Sequence, residues 1–147
     1  MEMETRIQLT EQPIDASAEL AFLTGSEGGA VDVFLGTTRR FTDGKETVSL
    51  SYEAADSLAK AEMRRLLEDA SAKWPLIRVT IIHRTGVVPV HEASVLIGVA
   101  TAHRDESFLA CRYLIDELKK RVPIWKRETF ADGSKEWVDG ITPTVGH

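Results

Sequence analysis

Hydrophobic positions along the chain recur at two periods, and the switches between them mark out the elements. Thr5–Thr10 and Ala30–Thr37 predict strands, the second rich in Val and Phe. Thr47–Glu53 alternates, placing Val48, Leu50 and Tyr52 on one face. Ile77–His83 and Ser94–Ala102 read as strands of the buried type. The helical period governs two longer stretches. Ala59, Met63, Leu66, Leu67, Ala70 and Trp74 form one stripe, capped by Asp56 and closed near Lys73 by Pro75. Phe108, Cys111, Leu114, Ile115 and Leu118 form another, in a helix entered through Thr101–Arg104 and ending at Arg121. Pro123 stops that helix because it lacks an N–H and pushes Val122 out of the α region. A short helix capped by Asp15 or Ser17 reaches Leu23, and Ile124–Phe130 and Lys135–Val138 form a hairpin about Asp132-Gly133. Gly86–Glu92 is a connection, and the tail from Gly140 has no period. The polar segment 38–46, with Asp43-Gly44 as its turn, is expected to move without a ligand.

From Thr47 to Phe130 the order is strand, helix, strand, strand, helix, strand. That is the split β-α-β order of a ferredoxin-like layer, so the fold class is α+β. The additional strands at both ends are assigned to a second, small antiparallel sheet. With 147 residues, no repeat and no linker, residues 1–147 read as a single domain.

Composition narrows the function. No apolar run approaches the ~20 residues of a membrane span, and the opening Met-Glu-Met-Glu-Thr-Arg lacks the apolar core of a signal peptide. A cytoplasmic protein with no membrane association is expected. The net charge of −5 argues against nucleic acid. Positive charge is nonetheless dense at Arg39-Arg40, His103-Arg104, Lys119-Lys120-Arg121 and Lys126-Arg127. Such clusters on an acidic chain suit a small anionic ligand; scattered surface charge explains them equally simply. The one cysteine, Cys111, lies on the apolar helix face, where a packed thiol fits better than a sulfur-carrying persulfide.

Four histidines are present and none pairs at metal-ligand spacing, so neither metal nor cofactor is expected. His83 and His91 read as packed or exposed. Gly25–Gly29 precedes a strand and lacks Gly-Lys-Ser/Thr, which excludes a phosphate loop. His103-Arg104-Asp105 sits at a helix start. Either the free N–H groups there favour an anion, or Asp105 caps the helix and His103 fills a turn. No serine or cysteine nucleophile motif occurs. Lysine is the best reactive candidate: Lys119 and Lys126 flank the helix-to-strand corner at Pro123, and a partly desolvated lysine near other cations has a lowered pKa. The plainer reading is that Lys119–Arg121 complement the helix dipole and Lys126 is an exposed strand residue.

The string Pro123-Ile-Trp-Lys-Arg-Glu128 weighs against the plainer reading. With Phe34-Leu-Gly-Thr-Thr-Arg39, Trp74-Pro75, His83-Arg84 within Val79–Gly86, Thr101-Ala-His-Arg104 and Leu118-Lys119, it resembles the large, catalytic subunit of molybdopterin synthase over nearly the whole chain. The resemblance implies an α/β hammerhead fold and the conversion of cyclic pyranopterin monophosphate to molybdopterin. It implies a small ubiquitin-like sulfur-carrier subunit, whose C-terminal Gly-Gly thiocarboxylate supplies two dithiolene sulfurs, and a homodimer within a heterotetramer. The ending Thr-Val-Gly-His does not fit that carrier. Carried over by position, Lys119 and Lys126 are expected to be catalytic, and Thr37, Thr38, Arg39, His103, Arg104, Arg127 and Glu128 to join them in binding substrate. Arg40 doubles the family's usual single arginine, so either Arg39 or Arg40 could face the phosphate. A rival from another class is a non-catalytic dimeric module that docks a ubiquitin-like partner. It accounts for the fold and the basic clusters but gives no reason for two lysines at one corner. A phosphohydrolase is disfavoured by the missing metal-ligand set.

Overall fold

A computed structural model of the chain describes residues 2–138, so the tail from Gly140 lies outside the described residues. The element order is β1 (Glu4–Thr10), α1 (Ala16–Thr24), β2 (Ala30–Thr37), β3 (Phe41–Thr42), β4 (Lys45–Ala54), α2 (Asp56–Lys73), β5 (Leu76–Arg84), β6 (Gly86–Pro89), β7 (Ala93–Thr101), α3 (Arg104–Arg121), β8 (Ile124–Phe130) and β9 (Lys135–Trp137). One sheet has the order β1-β5-β7-β2. The second has the order β3-β4-β8-β9, with β6 added beside β4. In the first, β1 runs parallel to β5 and the other pairs are antiparallel. The class is α+β with a second antiparallel sheet, as the pattern predicts. The allocation of strands differs from the expected one. β4 pairs with β8, and β5 with β7, as in a split β-α-β layer. The place beside β7 is taken by β2, in register from Ala30↔Thr101 to Thr37↔Ala93. The N-terminal strands therefore complete the first sheet, and β4 and β8 are left to found the second.

Strand parity splits the first sheet into two faces. Val79, Ile81, Val95, Ile97 and Val99 point to one side, against the buried stripes of α2 (Ala59, Met63, Leu66, Leu67, Ala70) and α3 (Ala110, Cys111, Leu114, Ile115, Leu118). Each fully buried aliphatic side chain there contributes roughly 1.5–3 kcal/mol. On the other side α1 lays Leu23 over Gly98, where an added Cβ would stand 2.3 Å from a Leu23 methyl. Glu19 of α1 is buried there too, accepting from Thr80 Oγ1 at 3.1 Å and pairing with Arg6 at 2.9 Å.

Four local expectations are corrected. Val48 does not share a face with Leu50 and Tyr52. The β4–β8 register skips from Thr47↔Phe130 to Ser49↔Thr129, so Val48 is the extra residue of a bulge and stands 51% exposed. Thr47 turns inward in its place. Asp56 sits in the first turn of α2 rather than at its cap, which is Ala55. Phe108 is exposed, because the buried face of α3 runs one residue earlier, through Ser107. Gly86–Pro89 is a short strand paired with β4, with its proline at the last position, where a strand tolerates one. Among the described residues no helix is long and apolar enough to cross a membrane.

Candidate active site

Three segments converge where the two sheets meet. The first is the end of β2 and the residues after it. Thr38 donates its N–H to Glu92 O at 3.1 Å and accepts from His91 N–H at 2.9 Å, which locks it to the β6–β7 turn. The turn is tight: His91 has φ of 74°. The second is the last turn of α3. It closes with the Val122 N–H donating to Leu118 O at 3.0 Å, after which Pro123 forces the chain into β8. The third is β8, where Lys126 and Glu128, two residues apart, share a face. Together they enclose a cavity of about 320 Å³, lined among others by Thr37, Thr38, Arg39, Lys119, Lys126 and Glu128.

The cavity concentrates positive charge. Burial pulls the Lys126 ammonium below the ordinary lysine range. The charges of Lys119 and Arg39 act the same way, and the Glu128 carboxylate opposes them. Glu128 is itself buried and accepts a hydrogen bond from the hydroxyl of Thr47, which stands 3.4 Å from the Thr42 hydroxyl. Thr38 is 1% exposed, and its Oγ1 has no hydrogen-bond partner among the described residues. Three cations against one carboxylate suit an anion, and a lysine of lowered pKa suits proton transfer or nucleophilic attack.

Five of the expected residues besides Lys119 thus line the same cavity: Thr37, Thr38, Arg39, Lys126 and Glu128. Three other candidates do not. Arg127 points to the opposite face of β8, its guanidinium 5.6 Å from the Trp137 ring. His103 and Arg104 stand exposed at the first turn of α3. From Arg104 to Lys119 the helix rises roughly 20 Å at ~1.5 Å per residue. His103 is the N-cap residue by position but makes no side-chain cap bond, and Asp105 lies inside the first turn. Of the two arginines before the β3–β4 hairpin, Arg39 lines the cavity, whereas Arg40 pairs with Glu46 at 3.2 Å. Cys111 is buried, with Sγ 3.7 Å from Ile97 O. Burial pushes its thiol up to about 12, which leaves no thiolate for sulfur chemistry near neutrality.

The sequence reading missed the inner wall, which carries Thr47, Tyr52, His83 and Ser94. Parity held a signal for two of them. Tyr52 follows Leu50 by two, and His83 follows Ile81 and Val79 on the face that bears the core. Among the described residues no group of three or more His, Cys, Asp or Glu side chains could hold a metal ion.

The family model described as MoaE protein matches residues 9–121, a span that holds Arg39, His103, Arg104 and Lys119. The chain belongs to the MoaE protein family. Lys126 and Glu128 lie beyond the span matched by the MoaE model. Among MoaE-like sequences, the molybdopterin synthase catalytic subunit of Bos taurus is 48% identical over 109 residues, covering 74% of this chain and 58% of the bovine protein. The chain therefore spans little more than half the length of that curated relative. The X-ray crystal structure of molybdopterin synthase from Staphylococcus aureus superposes with a TM-score of 0.80 at 32% identity, covering 88% of this chain and 94% of that one. A protein–protein complex of subunits 1 and 2 of molybdopterin-converting factor from Helicobacter pylori contains a chain with a TM-score of 0.69 and 20% identity, covering 92% and 90%, a likeness of MoaE fold alone.

Proposed function

We propose that this MoaE chain is the catalytic subunit of a molybdopterin synthase. It takes cyclic pyranopterin monophosphate and installs two dithiolene sulfurs delivered as a thiocarboxylate on the C-terminus of a small ubiquitin-like subunit. The observation that carries the reading is the cavity in which half-buried Lys126 is flanked by Lys119 and Arg39. Both the cyclic phosphate and the thiocarboxylate are anions, and both need cationic donors. Arg39 and Lys119 hold charge at the mouth, and the Thr37 and Thr38 hydroxyls add neutral donors. Lys126, with its lowered pKa, takes up and returns the proton during sulfur transfer. Glu128 balances the charge around it. The names carried by relatives, a molybdopterin synthase catalytic subunit in Bos taurus and a two-subunit converting factor in Helicobacter pylori, support the same assignment of partner.

His103 and Arg104 enter this scheme only from a second copy. A pterin monophosphate is too short to span the length of α3, so we assign these residues to the site of the neighbouring subunit in a two-fold homodimer, itself half of a heterotetramer with two small subunits. The functional test is direct. The protein is incubated with the thiocarboxylated small subunit and cyclic pyranopterin monophosphate, and molybdopterin is measured as its fluorescent oxidation product. Dithiolene product is expected; its absence with both substrates intact would sink the assignment.

A further inference from the structure

His83 ends the core-facing series of β5 and closes the inner wall of the cavity, 6% exposed. Its Nδ1 lies 2.7 Å from the carbonyl oxygen of Arg84. A carbonyl only accepts, so Nδ1 carries the proton and Nε2 of the neutral ring is an acceptor. The ring plane is fixed by an edge-on contact with Tyr52, centroids 5.0 Å apart. Nε2 has no hydrogen-bond partner among the described residues, and it is not one of the sealed, unpartnered atoms of the interior. The ring that carries it lines the cavity. Burial first, then the Lys126 charge, hold the imidazole near a pKa of about 4, against the pull of the Arg84 carbonyl, so the ring stays neutral at ordinary pH.

The cations around this cavity only donate, its hydroxyls can do either, and its one carboxylate, Glu128, already accepts from Thr47. Arg39, Lys119 and Lys126 supply charged N–H groups, and Thr37 and Thr38 supply hydroxyls. The inner wall offers a fixed neutral acceptor as well. An anion alone has no use for it, because an anion brings only acceptors. A ligand that fits both has its charge at one end and a neutral N–H or O–H at the other. We propose that His83 Nε2 is a substrate-contacting acceptor that takes a hydrogen bond from a neutral heterocyclic N–H of the bound precursor, so that His83 selects for the ring while the cations select for the phosphate. The proposal rests on the functional reading above.

The test uses the full chain with its histidines labelled with ¹⁵N, titrated separately with cyclic pyranopterin monophosphate and with inorganic phosphate. The Nε2 resonance of His83 is expected to move upfield with the precursor and to stay in place with phosphate. Two variants separate the ring nitrogens. In His83→Asn the amide N–H replaces the Nδ1 donor to Arg84 O and the Nε2 acceptor is lost. In His83→Gln the amide oxygen reaches the place of Nε2. Loss of the acceptor raises the precursor Kd roughly tenfold in His83→Asn. His83→Gln recovers most of that loss, and phosphate affinity is equal in all three proteins. Precursor binding that leaves Nε2 unmoved overturns the assignment, as does a His83→Asn protein that binds precursor like wild type. Equal weakening of phosphate and precursor also overturns it, because it marks a collapsed cavity. A wild-type protein that fails to bind the precursor at all instead strikes the functional reading, and this assignment falls with it.

Discussion

Tyr52 and Lys126 face each other across the β4–β8 ladder, and the same pairing that founds the second sheet sets Lys126 against the inner wall of the cavity. Lys119 reaches that cavity from the end of α3, across a corner fixed by Pro123. Neither lysine belongs to the buried core. Lys119→Ala and Lys126→Ala are therefore each expected to lower turnover by about 10²-fold or more, as removal of a positioned proton-transfer group does. Melting temperatures should stay within a few degrees of wild type. A folded variant of either kind with near-normal product formation would remove that lysine from the chemistry.

His83 gives the fold a pH dependence whose sign is set by its pKa. The folded value, about 4, lies below the ordinary histidine value of 6.5, so between these pH values the unfolded chain binds more protons than the folded one. Stability contributed by this group therefore rises from about pH 4 to pH 6.5 and is flat above. The full effect is roughly 3 kcal/mol at ~1.4 kcal/mol per pH unit. In His83→Phe that part of the slope should disappear from urea unfolding curves measured across the window. An unchanged slope would show that the ring is not held neutral by burial.

Much of the fold can be read from period and punctuation, and the stripes of α2 and α3 are clear examples. The departures have local causes. The Val48 bulge depends on a register with β8 that lies some eighty residues downstream, and no pattern within β4 reports it. The allocation of strands between sheets depends on β2 finding β7, a long-range choice. At the site, the cationic residues were legible because a matched string marks them. His83 stands in a matched string too but reads there as packed or exposed, and Thr47 and Ser94 carry no mark, because as single residues each looks like any packed strand position.

Glu128 offers a check on the inner hydrogen-bond chain. Its buried carboxylate accepts from the Thr47 hydroxyl. Thr47→Val keeps the shape and removes the donor, leaving a buried acceptor less satisfied. The expected loss of stability is about 1–3 kcal/mol, read as a lower midpoint in chemical denaturation at unchanged slope. A midpoint equal to wild type would show that this bond contributes nothing.

Cys111 separates two routes for sulfur. The thiol is buried in the core and pushed up to about 12, and the proposed route brings sulfur only from the partner's thiocarboxylate. Cys111→Ala should keep its turnover, with a packing loss of about 1 kcal/mol, because only one sulfur atom leaves the core. Loss of product in a well-folded Cys111→Ala protein would point to a persulfide relay instead.

The position of His103 and Arg104 at the far end of α3 from Lys119 makes the strongest demand on assembly. If all of them serve one ligand, each site draws its Arg104 from one chain and its Lys119 from the other. Arg104→Ala and Lys119→Ala proteins are then each inactive alone. Co-refolded in equal amounts with the small subunit present, they form mixed dimers as half of the population. In a mixed dimer one site carries both substitutions and the other carries neither. Random mixing therefore restores about a quarter of all sites, and turnover should recover to about that fraction of wild type. Sites built within one chain gain nothing from mixing, since every chain still lacks one of the two residues. No recovery, with mixed dimers verified by mass, would return His103 and Arg104 to a role outside the shared site.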